Sequence, residues 1–339
     1  MSGRVGKISV WILAVLAAIL AVAITATIGW RPFLGPRARA LTSRTFERTP
    51  ERQARGEYLA TALMGCEDCH SDHDYTQREV PVPPGRAFAG APFPGTGLPG
   101  RVVAANLTPD PETGLGNWTD DEIARAIREG IGRDGQALFP MMPYPHFRNL
   151  SDEDLASVVV FLRSLPPVPN PLPKTDIVFP VRYLIRSAPT PVSAPVALPD
   201  SSTPEKRGAY LVDMAACGDC HTPVDKNGAP IPGMDFGGGV VLEGPWGRVA
   251  SSNITPDPSG IPYYDAQLFT EALRTGFVKT RPLNPIMPWP SFRHLTDQDI
   301  SDIFAYLRTL KPVRHRVDNT ETPTLCKVCG TTHGLGDKN

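Results

Sequence analysis

The sequence predicts an all-α protein, two tandem helical domains of one kind behind an N-terminal transmembrane helix. Three observations carry that expectation: an uncharged apolar run near the start, an internal repeat about 150 residues apart, and capped helical segments in both copies with no alternating strand pattern. The 339 residues include 34 Lys+Arg against 35 Asp+Glu, a balance that leaves no footprint for nucleic-acid binding. Hydrophobic residues make up 41%, enough for a core, and 38 Pro predict much loop within a folded protein. Residues 1–55 hold nine basic side chains and two acidic ones, leaving 25 basic against 33 acidic groups in the remainder. A basic stalk therefore precedes an acidic body.

No residue from Ile8 to Trp30 is charged. A helix of that length spans about 34 Å, more than a hydrocarbon core of about 30 Å, so residues 8–30 are expected to form a transmembrane anchor. A signal peptide is the competing reading, with Arg4 and Lys7 as its charged start and Ala21-Val22-Ala23 as a cleavage site. The apolar run continues well past that site, which a signal peptide does not require. Basic residues flank both ends, so charge does not orient the segment. The cysteine chemistry below places the body in the periplasm, on the outer side of the cytoplasmic membrane.

The repeat organises everything after the stalk. Gly56-Glu57-Tyr58-Leu59 recurs as Gly208-Ala209-Tyr210-Leu211, and Cys66-Glu67-Asp68-Cys69-His70 as Cys217-Gly218-Asp219-Cys220-His221. Asn106-Leu107-Thr108-Pro109-Asp110 recurs as Asn253-Ile254-Thr255-Pro256-Asp257, and Ala126-Ile127-Arg128-Glu129-Gly130 as Ala272-Leu273-Arg274-Thr275-Gly276. Last, Met142-Pro143-Tyr144-Pro145 returns as Met287-Pro288-Trp289-Pro290. Order and spacing agree, so the expected domains are 50–165 and 203–312, with a linker at 166–202 and a tail at 313–339. Ten Pro between 166 and 200 favour extended chain. Ile177-Val178-Phe179 and Tyr183-Leu184-Ile185 are too apolar for free solvation, so the linker is expected to lie against the domains.

Within each copy, helices are expected at 51–63 and 205–215, before the cysteine pairs. Thr119-Asp120-Asp121-Glu122 reads as a capping box opening a helix to about 129, with Ile123 and Ile127 on one face. Ser151 is expected to cap a last helix through Leu165, with Leu155, Val158, Val159 and Leu162 buried and Pro166-Pro167 stopping it. Thr296 is expected to cap its counterpart through Leu310.

Cys-x-x-Cys-His is the attachment signature of c-type haem, because two thiols three apart reach both vinyl groups of one porphyrin and the next residue supplies an imidazole. It occurs twice, inside the repeat. Of the methionines, only Met142 and Met287 coincide between copies, since Met141 falls opposite Ile286. They lie in loops 72 and 66 residues after His70 and His221, which marks them as second axial ligands rather than core side chains.

On these motifs both copies resemble class I cytochrome c domains. The pair resembles the multihaem cytochrome c subunits of membrane-associated periplasmic alcohol, aldehyde and gluconate dehydrogenases. The resemblance covers 50–312 and implies two covalent haem c groups, attached through Cys66 and Cys69 and through Cys217 and Cys220. It implies iron held by His70 and Met142 in one copy and by His221 and Met287 in the other. The chain departs from three-haem members of that group at Cys326-Lys327-Val328-Cys329, where Gly330 follows in place of His. That pair is expected to form a disulfide or to sit in a disordered tail, with a metal or partner-binding clip as the alternative.

Arg128 and Arg274 are candidates for pairing with haem propionates, or for a solvated face. Asn106 and Asn253 open loops that either cover a haem edge or form Asx turns. His73, His146, His294 and His315 are expected to be ordinary surface or core histidines. The expected function is electron transfer without substrate chemistry, because ligands on both faces of each iron leave no open position. Expected partners are a dehydrogenase donor, a terminal oxidase or soluble cytochrome acceptor, and the membrane, with no nucleic acid and no small-molecule substrate. The acidic body would steer toward a basic docking face. The rival expectation is a dihaem enzyme, a peroxidase or thiosulfate-oxidising cytochrome, with one labile ligand. A structural haem protein or redox sensor is a third.

Overall fold

A computed structural model describes residues 2–226 and 228–339. Helix α1 (Ser2–Ala26) carries the apolar run, and none of Lys7–Ala26 is buried against the rest of the chain. It stops four residues short of Trp30, and Gly29 turns the chain at φ 67°. A short helix α2 (Arg31–Leu34) follows. The stalk is then held to the body through Arg39, which pairs with Asp121 at 2.7 Å and Glu129 at 2.6 Å, both carboxylates buried, and through the Thr42 amide, which donates to Asp121 at 2.6 Å. Burial raises the Asp121 carboxyl, but Arg39 and the Thr42 amide outweigh it and hold the group at about 2.

The first copy contains α3 (Pro50–Tyr58), continued by a π turn at Leu59–Leu63, α4 (Cys66–Cys69), α5 (Asp120–Glu129), α6 (Tyr144–Phe147) and α7 (Asp152–Ser164). A linker helix α8 (Val181–Leu184) intervenes. The second copy contains α9 (Pro204–Met214), α10 (Cys217–His221), α11 (Ala266–Thr275), α12 (Trp289–Phe292) and α13 (Asp297–Thr309). The expected caps are present: Thr119 and Glu122 form the reciprocal capping box, Ser151 accepts from the Asp154 amide, and Thr296 accepts from the Asp299 amide.

The fold departs from the all-α expectation in its loops. Five two-stranded antiparallel ribbons occur among the described residues, none with strands longer than four residues. Such short strands cannot show alternation in sequence. One of them pairs Gly100–Arg101 with Asp176–Ile177 and lays the linker on the first copy, burying Ile177, whereas Val178, Phe179 and Leu184 stay exposed, contrary to the expectation that these apolar residues would be covered. Asn170 assists by donating to the carbonyls of Ala89 and Gly90.

In each copy the first and last helices cross closely. A Cβ on Gly56 would lie 1.9 Å from the Ser157 carbonyl oxygen, and one on Gly208 would lie 1.9 Å from that of Asp302. The glycine of the Gly-x-Tyr-Leu repeat is thus a packing requirement. Its tyrosine serves the other copy. Tyr58 donates to Asp299 and accepts from the Thr296 amide at 3.1 Å, while Tyr210 donates to Asp154 at 2.8 Å and accepts from the Ser151 amide at 3.4 Å. The two copies therefore meet through equivalent residues, related by a pseudo-two-fold axis.

A second equivalent pair joins the cysteine motifs to the opposite copy. Asp219 meets His146 at 2.8 Å, and Asp68 accepts from Ser291 at 2.5 Å. His146 also meets Asp213 at 2.6 Å, so it is an interface residue and not the ordinary histidine expected from sequence.

Two outcomes follow from this packing. Gly208→Ala should force the α9 and α13 crossing apart and cost about 1–3 kcal/mol, read as a lower thermal midpoint; an unchanged midpoint would contradict the crossing. The Asp213 and Asp219 hydrogen bonds raise His146 to about 10, against the opposing effect of partial burial. A raised folded pKa means this stabilisation is full below the unfolded value of about 6.5 and disappears as pH rises through about 10. The wild-type midpoint should drop between pH 7 and 10 by more than that of His146→Ala; parallel curves would sink the assignment.

Candidate haem-binding segments

Each cysteine motif begins from a left-handed residue, Gly65 at φ 60° and Ala216 at φ 49°. For alanine that conformation costs about 1–2 kcal/mol. All four cysteines are free; Cys66 and Cys217 are half-buried, Cys69 and Cys220 exposed. The protein packed around Cys69 pushes its thiol up to about 12 by desolvation, with smaller contributions from Asp68 and Cys220.

The histidines are oriented identically. His70 Nδ1 lies 2.6 Å from the Ala105 carbonyl and His221 Nδ1 lies 2.7 Å from that of Ser252. A carbonyl only accepts, so Nδ1 carries the proton and Nε2 presents its lone pair. Burial lowers both imidazoles' pKa values, keeping them neutral and able to bind a metal. Those carbonyls immediately precede Asn106 and Asn253. Each Asn forms an Asx turn, accepting from the Thr108 or Thr255 amide at 2.9 Å, and donates to Val168 or Val313. The Asn-x-Thr-Pro-Asp motif therefore holds the carbonyl that orients the histidine, which answers the choice left open by sequence.

Sequence reading missed a further recurrent element. Phe88 and Phe236 both sit at φ 59°, unusual for a bulky residue. Two residues on, the Gly90 and Gly238 amides donate to the His70 and His221 carbonyls, each at 2.7 Å. The recurrence of Phe-x-Gly at 88–90 and 236–238 was its signal.

Met142 and Met287 occupy equivalent turns. The Met142 amide donates to Phe139, and Met287 donates to Asn284; the Tyr144 and Trp289 amides donate back to the methionine carbonyls at 2.8 and 2.6 Å. Both methionines are partly buried and pack on the hydrophobic core, as Cys66 and Cys217 do, whereas Met64, Met214 and Met234 are buried core side chains. Gly130 and Gly276, both at φ 67°, make room for the following aromatic: a Cβ would fall within 2.5 Å of the Tyr144 ring or 2.4 Å of the Trp289 ring.

Arg128 and Arg274 are occupied elsewhere. Arg128 binds Asp152 at 2.6 Å and the Leu150 carbonyl; Arg274 binds Asp297 at 2.6 Å and the Arg293 carbonyl. They brace the end of the methionine loop to the last helix, and Arg128, buried, is not the solvated residue of the other expectation.

Each copy thus offers two free thiols, an imidazole lone pair and a thioether, a donor set that suits covalent haem c. The buried, unpartnered indole N–H of Trp289, two residues from Met287, is a further polar group left for an added acceptor.

The cysteine pair outside the repeat is neither disulfide-linked nor disordered: Cys326 and Cys329 are free, buried thiols in an ordered tail. His315 and His333 are buried beside them.

The cytochrome c family pattern matches residues 205–311. Among curated relatives, a nicotinate dehydrogenase subunit from Pseudomonas putida is 33% identical, covering 76% of this chain and 21% of the relative. The cytochrome subunit of fructose dehydrogenase from Gluconobacter japonicus is 32% identical, over 76% of this chain and 52% of the relative. A diheme cytochrome c-type protein from Cereibacter sphaeroides is 30% identical, over 60% of this chain and 67% of the relative. The chain spans about a fifth to about half the length of the two dehydrogenase subunits. With two Cys-x-x-Cys-His segments oriented alike and these relatives, the chain belongs to the c-type cytochromes.

Proposed function

We propose that this chain is a membrane-anchored dihaem cytochrome c that relays electrons one at a time, from a periplasmic or quinone-linked dehydrogenase to a respiratory acceptor. The carrying observation is the doubled donor set, in which each Cys-x-x-Cys-His histidine has its Nδ1 proton committed to a backbone carbonyl. Cys66, Cys69, His70 and Met142 would hold one haem c, and Cys217, Cys220, His221 and Met287 the other. Bound there, haem c supplies reversible one-electron chemistry at iron.

The chain's own residues set the conditions for that chemistry. Ala105 and Ser252 fix the imidazole tautomer, and a carbonyl accepting from Nδ1–H makes the ring a stronger ligand. Thioether sulfur favours the reduced metal and raises its potential. Asp68 and Asp219, inside the cysteine motifs, anchor each motif to the other copy, which keeps the two centres together. The exposed apolar α1 supports anchoring at the membrane beside a dehydrogenase partner, a partner suggested by the fructose dehydrogenase and nicotinate dehydrogenase relatives.

The absorption spectrum of the oxidised protein tests this reading. Met142→Ala and Met287→Ala should each halve the sulfur-to-iron band and lower one midpoint potential, while Met141→Ala leaves both unchanged. A wild-type haem that lacks the band and reacts rapidly with peroxide would replace the carrier by the enzyme reading, and an unaltered Met142→Ala spectrum would refute the ligand assignment.

A further inference from the structure

We propose that the C-terminal segment holds one zinc ion in a closed tetrahedral site formed by His315, Cys326, Cys329 and His333, a site independent of the haem reading. The four ligand atoms lie within 4.8 Å of one another and all four residues are buried. His315 Nε2 is 3.4 Å from Cys326 Sγ, His333 Nε2 is 3.4 Å from Cys329 Sγ, and the two Nε2 atoms are 3.3 Å apart. Zn–N and Zn–S bonds of about 2.1 and 2.3 Å at tetrahedral angles require N···N of about 3.4 Å and N···S of about 3.6 Å. The cluster's N···N distance of 3.3 Å and N···S distances of 3.4 Å lie within about 0.2 Å of those separations.

The protonation pattern points the same way. His315 Nδ1 faces the Gly237 carbonyl at 2.8 Å and His333 Nδ1 faces the Gly334 carbonyl at 3.0 Å, so both Nδ1 atoms carry protons. Both Nε2 atoms then present lone pairs into one buried space, each faced by a cysteine thiol at 3.4 Å. A divalent cation that displaces the two thiol protons would take up both lone pairs and both sulfurs. Binding converts two thiols to thiolates with release of two protons, and two thiolates with Zn²⁺ make a neutral site, which burial favours. Two thiolates with two imidazoles select zinc over harder cations.

A supporting shell is in place. The Cys329 amide points at Cys326 Sγ at 3.5 Å, and the Thr331 hydroxyl lies 3.0 Å from Cys329 Sγ. Gly330, at φ 74°, closes the turn by donating to the Cys326 carbonyl at 2.9 Å. The glycine that disqualifies this motif for haem is the one that shapes it for a metal.

Comparison of the copies isolates His315. In the first copy its place is taken by Asn170: both backbone amides bind a hydroxyl, Thr113 or Ser259, at 2.9 Å, and both side chains reach the loop after the motif histidine, at Ala89 or Gly237. Asn170 makes that bond and ends there, whereas imidazole makes it and offers a second nitrogen. Gly239 is closed by the cluster, since a Cβ would lie 2.6 Å from His315 Cε1 and 3.5 Å from Cys329 Sγ. The metal would therefore clamp the tail to the segment that donates to the His221 carbonyl through Gly238.

The test is metal content by mass spectrometry on the full haem-loaded chain, purified without chelator or polyhistidine tag. The expected result is about one zinc per chain. His315→Asn, which copies the first repeat, and Cys326→Ser with Cys329→Ser should each reduce zinc to background while haem iron is unchanged. Chelator treatment of the wild type should make two thiols newly alkylatable, a readout that stands if a variant fails to fold. Background zinc together with an intact mass two hydrogens short, as a disulfide gives, would overturn the proposal, as would non-haem iron in place of zinc.

Discussion

Two buried carboxylates organise the molecule. Asp154 and Asp299, at equivalent positions in the first turn of each copy's last helix, accept a guanidinium from their own copy's first helix, Arg55 or Arg207. Each also accepts a tyrosine hydroxyl from the other copy, Tyr210 or Tyr58. A buried charge requires such full pairing, because removal of one partner leaves desolvation uncompensated. The same acid thus closes each helix crossing over its glycine and joins the copies.

The functional consequence is positional. Because Tyr58 and Tyr210 stand one turn and a bend before the cysteine motifs, the contact that joins the copies also draws the motifs toward the interface. Asp68 and Asp219 complete this by reaching the opposite methionine loop's helix, at Ser291 and His146. On the proposed reading, two haem centres held this way would suit a relay, in which electrons must move between sites without large motion of the chain.

Much of this was legible in sequence because repetition acts as an internal control. It separated Met142 and Met287 from five other methionines and gave the helix caps their places. What was not legible had physical reasons. Arg128 and Arg274 looked available because their partners, Asp152 and Asp297, are 24 and 23 residues away and reveal themselves only when the loop folds back. His146 lacked a counterpart, yet Ser291 performs its role with a hydroxyl in place of an imidazole. The cysteine half of the proposed zinc cluster is legible as a metal clip, the alternative to a disulfide, but its histidine half is not, because His315 falls at the start of what reads as a tail and reads there as an isolated histidine. Strands of two to four residues are too short to leave a pattern.

The central claim is that four of the six cysteines carry two haems across this crossed interface and the remaining two do not. Peptide mapping of the purified chain by mass spectrometry tests it most directly. The account predicts one haem mass on the peptide with Cys66 and Cys69, one on that with Cys217 and Cys220, and none on that with Cys326 and Cys329. An unmodified first or second pair, or haem on the third, would contradict it.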